Sequence, residues 1–147
     1  MKNVKKLLIL TAVLVVVLKH TSMCDTQTGT FRTTGFAYRY KTDTGWTKWS
    51  DRQDSNLRLT IDFNEDMVII FSKEAQIYRI NDVVSYDVDD SGGKELKMPF
   101  IDQDGDTGTM RMLIDKDGNT QLWVVFADIM WVYDVVSELS PSPALPV

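Results

Sequence analysis

Asp102-Gln103-Asp104-Gly105-Asp106 gathers three carboxylates into five residues with a glycine among them. Hard cations such as calcium want several oxygen ligands, and alternate aspartates in a turn can supply them. The spacing is not that of an EF-hand loop, because Gly105 comes too early and no glutamate follows at the twelfth position. A solvated hairpin turn accounts for the same residues, since Asp and Gly suit turns for backbone reasons. Asp102, Asp104 and Asp106 are the residues that would hold calcium, with the turn as the plainer reading. Asp87, Asp89 and Asp90, ahead of Ser91-Gly92-Gly93, form a second and less complete acidic group.

Catalysis by carboxylates needs two acids about 5 to 10 Å apart in a cleft, one with a raised pKa. Glu65, Glu74, Glu95 and Glu138 are the only glutamates, all near turns or ends, while Asp62 and Asp128 fall within strands and could pair across a sheet. A carboxylate-dependent hydrolase is therefore one alternative. Nucleophile–histidine chemistry is excluded more firmly: the only histidine is His20 and the only cysteine is Cys24, both ahead of the main domain. That domain has no disulfide, no thiolate zinc site and no Ser-His or Cys-His pair. No enzyme activity is expected.

Binding chemistry is better represented. Trp46 and Trp49 lie in the polar segment Gly45-Trp46-Thr47-Lys48-Trp49-Ser50, just after Tyr38 and Tyr40. Exposed Trp and Tyr faces stack on sugar rings or anchor protein interfaces. These four are the candidate ligand-binding residues. In the plainer alternative both tryptophans fold back over one end of the domain as a plug. Trp123 and Trp131, on apolar strands, are expected in the core.

The elements that must position these residues read as strands. Leu57, Leu59, Ile61 and Phe63 alternate with polar residues, Phe36, Tyr38 and Tyr40 alternate with Ala37 and Arg39, and Met110, Met112 and Ile114 alternate with Arg111 and Leu113. Leu96, Met98 and Phe100 alternate around Pro99, which suggests an edge strand or a bulge. Met67 to Phe71 is apolar throughout and reads as a strand buried on both faces or a core strand; Val83 to Val88 is a weaker strand. Gln121 to Val136 reads as two strands, or one bent by a bulge, because its Val, Ile, Trp and Tyr content opposes a helix. Asp115-Lys116-Asp117-Gly118-Asn119 is the best hairpin signal, a type I turn followed by glycine at positive φ. No repeat of fixed period is evident. The fold class is all-β, a single antiparallel β-barrel or β-sandwich of about eight strands.

Ahead of this domain, Lys2, Lys5 and Lys6 precede an apolar run from Leu7 to Leu18, and no acid appears before Asp25. That order reads as an export signal, with a buried core helix as the plainer alternative. Thr21-Ser22-Met23-Cys24 partly resembles a lipoprotein box, and Cys24 is the lipidation candidate; an uncleaved anchor is the alternative. The organisation is then residues 1–23 as signal, 24–30 as polar spacer, 31–137 as the β domain and 138–147 as a disordered proline-rich tail. This plan resembles that of small envelope lipoproteins, which implies location rather than activity. Removing residues 1–23 leaves 12 basic and 21 acidic residues, a formal charge of −9. Such a surface repels phosphate backbones, so nucleic acid is not an expected partner.

The expected function is an exported, membrane-tethered, non-catalytic binding module at the cell envelope, with a protein or glycan ligand. A lipocalin-like carrier of an apolar ligand is the other alternative, its cavity lined by Phe36, Leu59, Phe63, Met110, Met112 and Phe126.

Overall fold

The structure, a computed structural model, describes residues 28–81 and 85–138. They form eleven strands and no helix: β1 (Thr28–Thr42), β2 (Gly45–Trp46), β3 (Gln53–Asp54), β4 (Arg58–Asp62), β5 (Met67–Phe71), β6 (Gln76–Ile80), β7 (Ser85–Val88), β8 (Lys94–Asp102), β9 (Thr107–Ile114), β10 (Thr120–Val125) and β11 (Ile129–Ser137). Eight of these close an antiparallel barrel in the order β1-β4-β5-β6-β8-β9-β10-β11, with β11 returning to β1. The fold is thus a barrel and not a sandwich. The fifteen residues of β1 make closure achievable, because its first part pairs with β4 while most of its length pairs with β11. Closure removes the sheet edges that an open meander would leave exposed.

Alternation along each strand sends one set of side chains inward. Leu59, Val68, Ile70, Met98, Phe100, Met110, Leu122 and Val124 are 0% exposed. Eight strands enclose a space that side chains alone can fill, and these residues fill it. Leu59 and Met110, two of the positions that would line a carrier cavity, leave no surface there for a ligand to touch. Each such side chain contributes roughly 1.5–3 kcal/mol of burial. Outward positions carry Arg58, Arg79, Lys97 and Arg111 together with the exposed Phe71, Ile101 and Val136, so the wall mixes charged and apolar side chains.

Three hairpin turns are built alike. Asp89, Asp102 and Asp115 each accept, at Oδ1, hydrogen bonds from the backbone amides two and four residues ahead, at 2.8–2.9 Å. The glycine three residues on sits at φ +88°, +86° and +88° respectively. A type I turn closed by glycine in the left-handed region matches the twist of the flanking strands. The three aspartates are thirteen residues apart in the chain, the sum of this turn and an eight-residue strand. A short repeat of Asp-x-x-Gly therefore exists where the sequence reading found none.

Other expectations are adjusted. Thr28–Thr30 belongs to β1, paired with Thr60–Asp62, and is not spacer. Glu138 is held rather than opening the tail: its amide donates to the Thr30 carbonyl at 2.9 Å and its carboxylate pairs with Arg32 at 2.7 Å. β5 is buried on one face only, since Phe71 and the outer sides of Met67 and Ile69 reach solvent. β8 is not an edge strand, having β9 on one side and β6 then β7 on the other. Pro99 lies where β6 gives way to β7, and its carbonyl accepts from the Asn81 amide at 2.8 Å; a residue without N–H suits that break. Gln121 to Val136 is two strands with a turn at 126–128. The export segment, Cys24 and residues 139–147 lie outside the described residues.

The ends of the barrel differ. Thr28, Glu138 and the turns at 63–66, 89–93 and 115–119 lie at one end, called lower below. The turns at 72–75, 103–106 and 126–128 and the β1–β2 hairpin lie at the other.

Candidate functional site

The upper part of β1 is flanked by an irregular return segment, residues 43–56, termed the strap. Its Thr47 and Ser50 amides donate to the carbonyls of Tyr40 (2.9 Å) and Tyr38 (2.8 Å). In return the Tyr40 and Tyr38 amides donate to Thr47 Oγ1 (3.1 Å) and Ser50 Oγ (3.0 Å). Hydroxyls here replace carbonyls that a regular strand would present. Lower down, the buried Thr33 accepts from the Leu57 amide at 2.7 Å and meets Ser55 Oγ at 2.7 Å, which ends the strap and starts β4.

Alternation divides the four candidate aromatics between two faces. Phe36, Tyr38 and Tyr40 stand opposite Tyr133, Trp131 and Ile129, on the inner face. Ala37, Arg39 and Lys41 face outward, and Trp46 joins them because its register partner is Lys41. Trp49 also lies outside, its ring 5.4 Å from and edge-on to Trp123. The Arg39 guanidinium sits 4.7 Å from the Trp49 ring and 5.3 Å from the Trp46 ring, an attraction of positive charge to aromatic faces. Ala37, Met130 and Val132 are buried although they point away from the barrel interior. The strap thus makes a second apolar layer on the side wall, not a plug at one end. Trp123 belongs to that layer: Leu122 and Val124 point inward, so the residue between them points out. Trp131 does face inward and packs against the core.

Exposure separates structural from available aromatics. Tyr40 is 49% exposed, Tyr38 and Trp46 37% and Ile129 36%, whereas Trp49 is largely covered. Tyr38 continues downward into Phe36 (5.9 Å between centroids) and then Tyr133 (5.2 Å). The upper mouth therefore carries an aromatic rim standing on a buried aromatic column. Arg39 was not singled out by the sequence reading; its alternation with Tyr38 and Tyr40 was the signal that it faces the strap.

Below the rim, polar groups meet across the barrel. The Tyr78 hydroxyl on β6 donates to Gln76 Oε1 at 2.8 Å, and Tyr133 approaches from β11 on the opposite wall. Burial pushes the Tyr78 phenol well above its usual range, with Tyr133 and Asp102 adding to the effect. Burial also raises Tyr133, partly offset by the side chains of Gln76 and Trp131 at its hydroxyl. Both phenols stay protonated and serve as hydrogen-bonding braces, not bases.

The carboxylates behave as turn formers. Asp102, Asp104 and Asp106 do not converge, and among the described residues no three acidic, His or Cys side chains are placed to hold a metal. The Ser91 hydroxyl and then the Gly93 amide hold the Asp89 carboxyl below its ordinary range, and the Asn119 side chain does the same for Asp115. Asp62 caps its own turn by accepting from the Asn64 amide at 2.9 Å, and Asp128 lies at the other end of the barrel, so the two do not pair. Arg111 binds Glu95 and holds its carboxyl low.

No protein-family model matches this chain, and comparison with curated proteins and with solved structures found no match. Its class is defined by geometry: a closed eight-stranded antiparallel barrel with a filled core, a wall of mixed charged and apolar side chains and an aromatic rim at one mouth.

Proposed function

We propose that this protein is a non-catalytic binding module, exported and tethered at the envelope through Cys24, whose rim of Tyr38 and Tyr40 meets a glycan or a protein surface. One observation carries the reading: the aromatic column Tyr133–Phe36–Tyr38 is buried at its base and open at its top. Large rings left in water at the end of a packed column are suited to stack on a ligand. The filled barrel supports contact at the mouth rather than enclosure.

Chain geometry supports the tether. Three residues separate Cys24 from Thr28, a span of at most about 14 Å, and Thr28 enters at the lower end. A lipid on Cys24 would keep that end close to the bilayer and turn the rim away from it, toward partners.

The test is a glycan array together with labelled envelope proteins, probed with the wild type and a Tyr38→Ala/Tyr40→Ala variant. A ligand bound by the wild type and at least tenfold more weakly by the variant, at equal thermal stability, is expected. Equal binding by both would sink the rim as the site.

A further inference from the structure

Among the described residues β7 is hydrogen-bonded on one side only, to β8. The Asp89 amide donates to the Gly93 carbonyl at 2.9 Å, which sets the alternation along the hairpin. Asp87 and Ser85 turn their backbone groups toward Glu95 and Lys97, and Tyr86 and Val88 turn theirs away. Those outward groups have no partner among the described residues. The neighbour is missing because β5 meets β6 no lower than Met67 opposite Arg79, and the turn before β5 ends there, with the Ile80 amide on the Asp66 carbonyl at 2.8 Å. The wall that is closed above thus ends below in a strand edge that no other described strand covers. Val88 on that edge is 57% exposed, more than any other large apolar side chain described. Such an edge is a template for an added strand.

Charge indicates what would add. Asp87 stands directly opposite Glu95, and like charges so placed repel. Arg111 neutralises Glu95, whereas Asp87 forms no ion pair among the described residues. The edge borders an open cleft of about 1250 Å³ at the lower end, where Asp89, Asp115 and Asp117 join Asp87 against Lys94 and Lys116.

We propose that β7 accepts an extended basic peptide segment as an additional strand, its backbone bonded to Tyr86 and Val88, a Lys or Arg over Asp87, and its continuation in the acidic cleft. A second copy of the chain fits less well, since two β7 edges related by a twofold axis would oppose Asp87 and its neighbours to themselves. This surface is at the opposite end from the aromatic rim and independent of it.

The experiment titrates the full-length protein into a fluorescein-labelled peptide of alternating Lys and Val, read by anisotropy, with alternating Glu and Val as comparison. The Lys peptide is expected to bind at least tenfold more tightly, and less so as salt rises. Val88→Pro removes an outward amide and no bond to β8, and should weaken binding at least tenfold without altering thermal stability. Asp87→Lys should reverse the preference between the two peptides. Absence of binding, or binding equal in wild type and Val88→Pro, would overturn the proposal as mere attraction to an acidic surface. Sedimentation showing a dimer that Val88→Pro dissolves would give the edge to a second copy instead.

Discussion

Arg52 on the strap and Asp134 on β11 form an ion pair directly across Gly35, the residue of β1 that lies between them. The contact continues along the outer wall. Gln121 Nε2 donates to Asp134 at 3.1 Å, the Trp123 indole donates to Gln121 at 3.2 Å, and Arg111 lies 5.7 Å over the Trp123 ring. The strap is thereby tied to β11, β10 and β9 in turn.

Gly35→Ala should loosen this arrangement. An added Cβ would fall 2.7 Å from Asp134 Oδ2 and 2.9 Å from Arg52 Nε, forcing the pair apart. Because the pair is half-exposed, the loss should be about 1 kcal/mol or less, read by urea unfolding. Faster proteolysis within the strap should accompany it; an unchanged cleavage rate would show that Arg52 does not hold the strap.

Trp49 and Trp46 should separate in energy. Trp49 fills the layer between Arg39 and Trp123, so Trp49→Ala should cost about 2–4 kcal/mol. Trp46 contributes mainly its contact with Arg39, and Trp46→Ala should cost about 1 kcal/mol or less. Similar losses in chemical denaturation for the two would contradict the assignment of Trp49 as the structural residue.

Glycine at the turns should resist substitution according to backbone conformation. Gly118 is at φ +88° with open space where a Cβ would be, so Gly118→Val should cost about 1–2 kcal/mol through strain alone. Gly118→Asn should cost less, since Asn tolerates this region. Thermal melts of the two variants order the effects.

Acid should weaken the fold through the turns. The carboxyls of Asp89 and Asp115 are held low by hydrogen bonds made only in the folded state. Their stabilisation is present above the ordinary carboxylate range and is lost as pH falls through the lowered folded values. Stability should therefore decline below about pH 4, and Asp115→Asn should flatten that decline. A pH series of melting temperatures showing no difference between wild type and variant would count against it.

Alkali should act on the core. Tyr78 and Tyr133 are buried and raised, so the unfolded chain releases their protons first. Stability from these groups is complete below about pH 10 and should fall as pH rises through the elevated folded values. In a spectrophotometric titration of the five tyrosines, two should ionise only together with unfolding. Smooth ionisation of all five in the folded protein would refute their burial.

Much of the strand content was legible because alternation acts between residues two apart. Leu59 and Ile61 are inward as their pattern implied, and Gly118 has the positive φ expected of its turn. Trp123 was misplaced because it alternates with apolar residues that point the other way; its neighbours' burial, not its own character, decided its face. The acidic group at Asp102 read equally as ligand or turn, and only the amides around its Oδ1 show which use the carboxylate has.

By itself the sequence determined period-two strands, Asp-x-x-Gly turns and the absence of histidine and thiol chemistry from the β domain, since each depends on residue type or on neighbours a few positions away. Tertiary structure decided closure, the placing of the strap outside the wall and the opening of Tyr38 and Tyr40 at the mouth. Closure joins Arg32 to Glu138, 106 residues away. Alternation says that two faces differ, but only the strands brought alongside from distant parts of the chain settle which face is inside.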